Sequence, residues 1–424
     1  MKGGSRIAGA ILLWSCWLGQ GSAAATVLDI SPRVAAGVAD SKLYGQPDDP
    51  AIGTGRLEFG SFVLNTGLTF NGGRVANRFG YAFTLTRYPQ ASELNSTGHT
   101  GLISSTINVS GHTTMSLLAN ASVFKTTNIG FINPYSAGTM TIMPTVAAAA
   151  TELFNLSASE NLAYQPTGHD RWLQSLSAAY SSSISGPPLP EVLTVGAGVR
   201  RDRIVGKDTY SLAVTAGEFF RLDPATDPTT AYLNGSVIST QVLAGWRRDF
   251  SARLSTEVQG GVVAFYGIET HSVAMAPAGA ATLSYQLVPW FATLTVSQAP
   301  SVNVYAPEAL ITDAVTLRLA LPLTKRQNLL LSGLGGYAYS RRVTAQEHFA
   351  VATRVFDTFS FGASLSYLFE RVPITVALDY SNYSVRGSQS DLASYPSTAR
   401  SFLALSVAGA FGFGEGTFGW LRDR

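Results

Sequence analysis

The sequence predicts an all-β protein: a single transmembrane antiparallel up-and-down β-barrel of about 18 strands (roughly 16 to 18). Three observations carry this expectation. Segments that alternate apolar with small or polar residues recur along the chain, each near the roughly nine to eleven residues that a tilted strand needs to cross a bilayer. The connections between them alternate short and long, as turns and loops do at the two ends of such a barrel. Charged residues make up only 13% of the chain, against about 25% in ordinary soluble domains, yet no segment after the first is apolar for long enough to span as a helix.

The chain begins MKGGSR, with two positive charges, followed by an apolar run from Ile7 to Leu18 and by GSAAA, whose small residues suit cleavage near Ala23 to Ala25. This pattern predicts a secretory signal peptide over residues 1–25, because the run is shorter than the roughly 20 residues of a helical anchor. Residues 26–424 then form one barrel domain. Cys16, the single cysteine, lies inside the signal, so the rest of the chain has no thiol for disulfides, metals or nucleophilic chemistry. Leu13-Trp14-Ser15-Cys16 suggests a lipoprotein cleavage site, for which Trp14 is bulky. Without Lys2 and Arg6 there remain 27 basic and 27 acidic residues, a balance that gives no hint of nucleic-acid binding.

The expected strands cover 27–39, 56–70, 74–87, 100–110, 113–124, 138–149, 153–164, 191–200, 207–221, 237–247, 252–267, 279–287, 290–302, 312–322, 327–340, 356–369, 372–386 and 399–413. Their logic is plainest in FSFGASLSYLFERVPITVALDYSNY, residues 359–383. Taking Glu370-Arg371 as a two-residue turn pairs Phe369 with Val372, Tyr367 with Ile374, Leu365 with Val376, Ala363 with Leu378 and Phe361 with Tyr380. One face of that hairpin is then apolar throughout, and the other carries small and polar residues. Asn71-Gly72-Gly73, Arg247-Arg248-Asp249, Val288-Pro289 and Thr324-Lys325-Arg326 are further tight turns, whereas 223–234 and 386–398 are long and rich in Pro, Asp and Ser. With both chain ends on the short-turn side, the strand count must be even.

Other strands show the same apolar face: Tyr210, Leu212, Val214 and Ala216; Val315, Leu317, Leu319 and Leu321; Leu403, Leu405, Val407, Phe411 and Phe413. Aromatic residues gather toward strand ends, among them Trp246, Tyr285, Trp290, Tyr337, Tyr339, Tyr367 and Phe369, where an amphipathic ring can sit at headgroup level. A soluble sandwich shows the same local alternation, with these rings in its core. Glu160 and Glu218 break the pattern; each is expected near the outer end of its strand, where a charge costs little.

Catalytic chemistry finds little to work with. The five histidines, His99, His112, His169, His271 and His348, are expected in turns or loops, with none paired at ligand spacing. His169-Asp170 is either the start of a hydrolase dyad or a hydrated loop pair. Gly206-Lys207 lacks the upstream glycine of a phosphate loop. Asp48-Asp49 and Asp223 with Asp227 either hold calcium or are solvated acidic loops. The expectation is therefore no enzyme, no catalytic or metal-binding residue and no cofactor.

If the apolar sets point to lipid, the alternate residues carry Arg33, Arg74, Arg78, Arg200, Arg247, Arg253, Arg318 and Arg400 inward, against Glu257 and Asp379. Such a lining concentrates anions and binds carboxylates bidentately; alternatively these arginines only brace one another through interior acids. The stretch 165–190, with Trp172, Tyr180 and Gly186-Pro187-Pro188-Leu189-Pro190, is expected as a loop that folds inward as a constriction, its rings stacking on sugars. The other reading makes Trp172, Gln174, Leu176, Ala178 and Tyr180 one face of an additional strand.

The periodicity and turn spacing resemble those of bacterial outer-membrane β-barrels over the whole of residues 26–424. The last strand, with Phe411-Gly412-Phe413, looks like their terminal assembly signal, although about ten residues follow it. In size, strand count and arginine-lined interior the chain is similar to the porins that pass exopolysaccharide through the outer membrane. That resemblance implies an outer-membrane location and periplasmic polysaccharide-export components as partners, beside outer-membrane lipid, lipopolysaccharide and the barrel-assembly machinery. The expected function is a channel with a basic lumen for an anionic solute or secreted polysaccharide. A general diffusion porin, or a closed barrel serving as a membrane enzyme or surface scaffold, is the alternative.

Overall fold

A computed structural model describes residues 25–43, 55–92, 95–126, 151–185, 191–222, 236–268, 271–287, 290–303, 308–342, 354–369, 372–387 and 398–414. The strands are β1 (Ala25–Leu43), β2 (Gly55–Asn71), β3 (Val75–Arg87), β4 (Ser96–Ser110), β5 (Thr113–Thr126), β6 (Thr151–Tyr164), β7 (Asp170–Ser185), β8 (Val192–Val205) and β9 (Asp208–Arg221). There follow β10 (Val237–Asp249), β11 (Leu254–Gly267), β12 (Ser272–Leu287), β13 (Trp290–Asn303), β14 (Glu308–Pro322), β15 (Leu329–Arg342), β16 (Arg354–Leu368), β17 (Ile374–Gly387) and β18 (Thr398–Gly409). Phe411–Gly414 continues β18 in the same register against β1, so the two segments act as one strand of the wall.

Each strand pairs antiparallel with its neighbours in sequence, and β1 closes the wall by pairing with β2 on one side and β18 on the other. The result is a closed barrel of 18 strands. Closure leaves no free sheet edge, the liability that an open sheet of alternating strands would carry. The alternation itself fixes the register, because a one-residue slip would exchange the two faces of a strand. Among the tight connections, Gly206-Lys207 joins β8 to β9 with Gly206 at φ 64°, the left-handed backbone that hairpin turns require.

The structure corrects the sequence reading in two places, and one further expected strand is not among the described residues. Segment 138–149, expected as a strand, lies outside the described residues, and β5 pairs directly with β6. The strand missing from the expected list is β7, which occupies the region favoured as an inward loop. Between β16 and β17, Phe369 donates its amide to the Ile374 carbonyl and Leu365 pairs with Leu378, so pairing resumes two residues later than a two-residue turn would have it. That shift moves the register by two, and the faces are unchanged.

Contacts between strands that are not neighbours identify the concave face. Arg200 on β8 reaches Glu257 on β11, and Arg33 on β1 reaches Asp379 on β17 over the intervening β18. Only side chains converging inside a closed wall can bridge such spans. Following the pairing around the barrel, the convex face carries Tyr210, Leu212 and Val214 of β9, Val315 and Leu317 of β14, Phe361, Leu365 and Tyr367 of β16, and Leu403, Leu405 and Val407 of β18, all exposed. Large apolar side chains left uncovered on this scale mark a surface made to meet something other than water.

Candidate functional site: the barrel interior

Register places six of the eight sequence-predicted arginines on the concave faces of strands: Arg33, Arg78, Arg200, Arg247, Arg318 and Arg400. Arg74 and Arg253 lie instead in the short turns before β3 and β11 and are exposed at that rim. The acidic side is larger than the sequence reading had it. Asp29, Asp202 and Asp249 share the concave face with Glu257 and Asp379, and Asp202 is only 6% exposed. Alternation could have found Asp202, since it stands two residues from Arg200, but the expected strand stopped at 200.

Four of the five inward carboxylates, all but Asp29, are paired with arginines. Arg200 donates from Nε to the Asp202 carboxylate across 2.6 Å and from Nη2 to Glu257 across 3.3 Å. Arg33 bonds Asp379 at 2.7 Å, and Ser406 donates to the same carboxylate oxygen at 3.0 Å. Arg247 pairs with Asp249 at 3.3 Å. Arg78 and Arg318 differ: among the described residues neither makes an ion pair, and both side chains are exposed. The guanidinium of Arg78 lies over Gly67, where a side chain would crowd it.

The outer end of the interior is narrowed by the connection between β3 and β4. Tyr88 and Ala91 are 3% and 2% exposed and pack with Ala39, Leu57 and Phe59, against Phe402 and Ala404 of β18. The Asn95 side chain accepts from the Tyr88 amide, and the Gln90 side chain accepts from the Glu58 amide. Arg400, itself 3% exposed, donates to the Tyr88 hydroxyl and lies 4.6 Å from the centre of the Phe402 ring. Away from this loop the concave wall is open in part, with Leu118, Ser177, Ala179 and Thr215 exposed although they face inward, whereas the inward residues Val237, Val263, Phe265, Ala274, Ala276 and Ala278 of β10–β12 are buried in a second apolar cluster.

Trp172 and Tyr180 are not a constriction. Both sit on β7, and their partners Tyr164 and Leu156 are on the convex face. Tyr180 packs beside Phe154, and Arg201 lies over the Trp172 ring at 5.3 Å. Alternation along 170–185 carries this face, and the polar run Ser181-Ser182-Ser183 concealed it. Glu160 and Glu218 also point outward, but Glu160 lies near the short-turn end of β6, not the outer end. His99 lies within β4 and bonds the Tyr81 hydroxyl at 2.8 Å, while His112, His169 and His271 are in turns. His348, Asp48-Asp49, Asp223 and Asp227 lie outside the described residues. Among the described residues no group of three His, Cys, Asp or Glu side chains is placed to hold a metal.

The fold and interior thus define a class, a closed 18-stranded barrel with an apolar exterior and a charged, partly open interior. No family model and no curated protein matches the chain. Solved structures share its outline. The siderophore receptor PirA from Pseudomonas aeruginosa gives a TM-score of 0.48 at 7% identity, covering 91% of this chain and 80% of that one. The FrpB iron transporter from Neisseria meningitidis gives 0.49 at 7%, covering 93% and 82%. OccK3 (OpdO) from Pseudomonas aeruginosa gives 0.46 at 12%, covering 91% and 96%.

Proposed function

We propose that the protein is an outer-membrane channel whose interior favours small anionic solutes. The apolar convex wall supports the location: barrels are one of the two architectures that satisfy every backbone group in lipid, and their lipid contacts alternate with interior residues. Eighteen strands are enough to leave an aqueous passage. The observation that carries the charge preference is the state of the interior pairs. Of the five inward carboxylates, those of Asp202, Asp249, Glu257 and Asp379 are engaged by arginines and Asp29 makes no ion pair among the described residues, whereas two inward arginines, Arg78 and Arg318, are exposed without one. Uncommitted cations in a confined passage raise the local concentration of anions.

Passage of a polysaccharide, implied by the resemblance, has less support. The two rings expected to stack on sugars, Trp172 and Tyr180, face away from the interior. The test is the reversal potential of single channels in a salt gradient, for the parent and for a variant with Arg78→Ser and Arg318→Ser. The expected result is an anion preference in the parent that falls in the variant; an unaltered potential removes the reason for an anionic cargo. A bilayer that stays silent would favour a closed scaffold.

A further inference from the structure

The convex face of β7–β10 at the short-turn end carries a group of charges that the channel reading does not use. Arg201 and Arg203 on β8 and Arg248 on β10 point outward, as do Asp170 on β7 and Asp208 on β9. Arg201 pairs with Asp170 at 3.1 Å, and Arg248 stands 3.6 Å from Asp208, which also accepts from the Trp246 indole at 3.0 Å. Arg203 is exposed between them. Its strand partners are Asp170 on one side and Tyr210 on the other, with Asp208 two residues from Tyr210. Among the described residues it makes no ion pair. Trp172, Tyr210 and Trp246 stand on the same face beside these charges.

We propose that this patch binds the headgroup of a phospholipid bearing both a phosphate and an ammonium group, of the phosphoethanolamine type. The inference rests on the membrane reading above and adds a lipid to it. The charges lie on the wall side, immediately beyond exposed apolar residues such as Val199 and Leu212 of the same strands. A ligand reaching them therefore comes from the headgroup layer. The Arg203 fork matches a phosphate diester with two parallel hydrogen bonds. Asp170, the strand partner of Arg203, and Asp208, two residues from its other partner, flank it as acceptors for the ammonium of the same headgroup, and indole or phenol faces beside them favour a cation. Alternation of sign selects against a purely anionic headgroup, which would meet two carboxylates beside its phosphate site.

The test uses the purified full-length protein in detergent, offered dioleoyl phosphatidylethanolamine and dioleoyl phosphatidylglycerol in equal amounts, with retained lipid counted by native mass spectrometry. The expected result is one ethanolamine lipid retained in preference, by about fivefold or more. Arg203→Gln should lose retention of both lipids. Asp208→Asn should keep the phosphate contact but lose the preference, and Arg341→Gln, at the opposite rim, should change nothing. Folding of each variant is checked by its mobility on unheated gels. Equal retention of the two lipids by the parent, or a preference unmoved by both Arg203→Gln and Asp208→Asn, overturns the proposal. A protein that stays dissolved without detergent overturns the membrane reading first, and is distinguishable from either result.

Discussion

Arg400 on β18 donates from its guanidinium to the hydroxyl of Tyr88 across 3.1 Å. Tyr88 follows β3, and β3 stands three places from β18 in the wall, with β1 and β2 between them. The contact therefore ties the connection after β3 down across the concave surface, and Phe59, edge-on to Phe402 at 6.0 Å, packs beneath it. An arginine this far removed from water is held in place by such partners, because an uncompensated buried charge is costly.

Tyr88→Phe removes the hydroxyl and leaves the ring. A hydrogen bond to a buried charged group is worth roughly 1.5–3 kcal/mol, so the variant should unfold at lower urea when refolded into vesicles. Because the loop then loses its fastening, single-channel conductance should also rise. An unchanged urea midpoint would mean that the hydroxyl is incidental to the loop's position.

The interior pairs make a prediction of opposite sign to the arginine variants. Asp379→Asn removes one negative charge and releases Arg33 from its 2.7 Å contact. Anion preference should therefore increase, and the double variant Asp379→Asn with Arg33→Ser should return the reversal potential close to the parent value. If Asp379→Asn moves selectivity toward cations, the charges at this level do not set it.

Gly261 of β11 tests the closeness of the wall. A Cβ built there would fall on the carbonyl oxygen of Val242 in β10, and that oxygen belongs to backbone that cannot move without breaking the ladder. Gly261→Val should abolish the compact, heat-modifiable form on unheated gels. By contrast, a Cβ built at Gly260, on the other face, meets nothing within 4 Å, and Gly260→Ala should fold normally.

What was legible in the sequence follows from what alternation encodes. A strand with one apolar and one polar face announces both, so β9, β14, β16 and β18 could be read with their faces correct. Even the two-residue error in the turn between β16 and β17 did no harm, since parity survives it. β7 was obscured because Ser175, Ser177 and the serines at 181–183 make both faces small and polar, and the outward ring of Trp172 then resembled a loop aromatic. The charge balance failed for a different reason. Asp202 lies beyond the expected end of β8, and Asp29 and Asp249 were not weighed among inward acids, so a lining that is largely paired looked predominantly basic. The inward fold of Tyr88 left no periodic signal, being a tertiary contact between a connection and a distant strand.

Trp172 offers a direct check on β7. As an outward ring beside Tyr164 at the short-turn end, it should be quenched by lipids brominated near the headgroup in a variant whose other tryptophans are replaced by Phe. Quenching by aqueous iodide alone would return Trp172 to a loop.

The assignment of faces can be tested within two adjacent residues of β17. Leu378 is exposed on the convex face, paired with Leu365 and Leu405, whereas Ala377 faces inward beside Ser366 and Ser406. On the membrane reading, Leu378→Lys sets a charge against hydrocarbon at the fifth residue from the short-turn end of its strand, at a cost of about 1–3 kcal/mol, between the midplane and interface values, while a lysine on the lumen side stays solvated. Leu378→Lys should lower the urea midpoint of folding into vesicles by that amount, and Ala377→Lys should leave it nearly unchanged while shifting selectivity further toward anions. Equal destabilisation by both would indicate a packed interior on either side of the sheet. The reverse order would exchange the two faces of the barrel, and every arginine now assigned to the passage would then lie outside it.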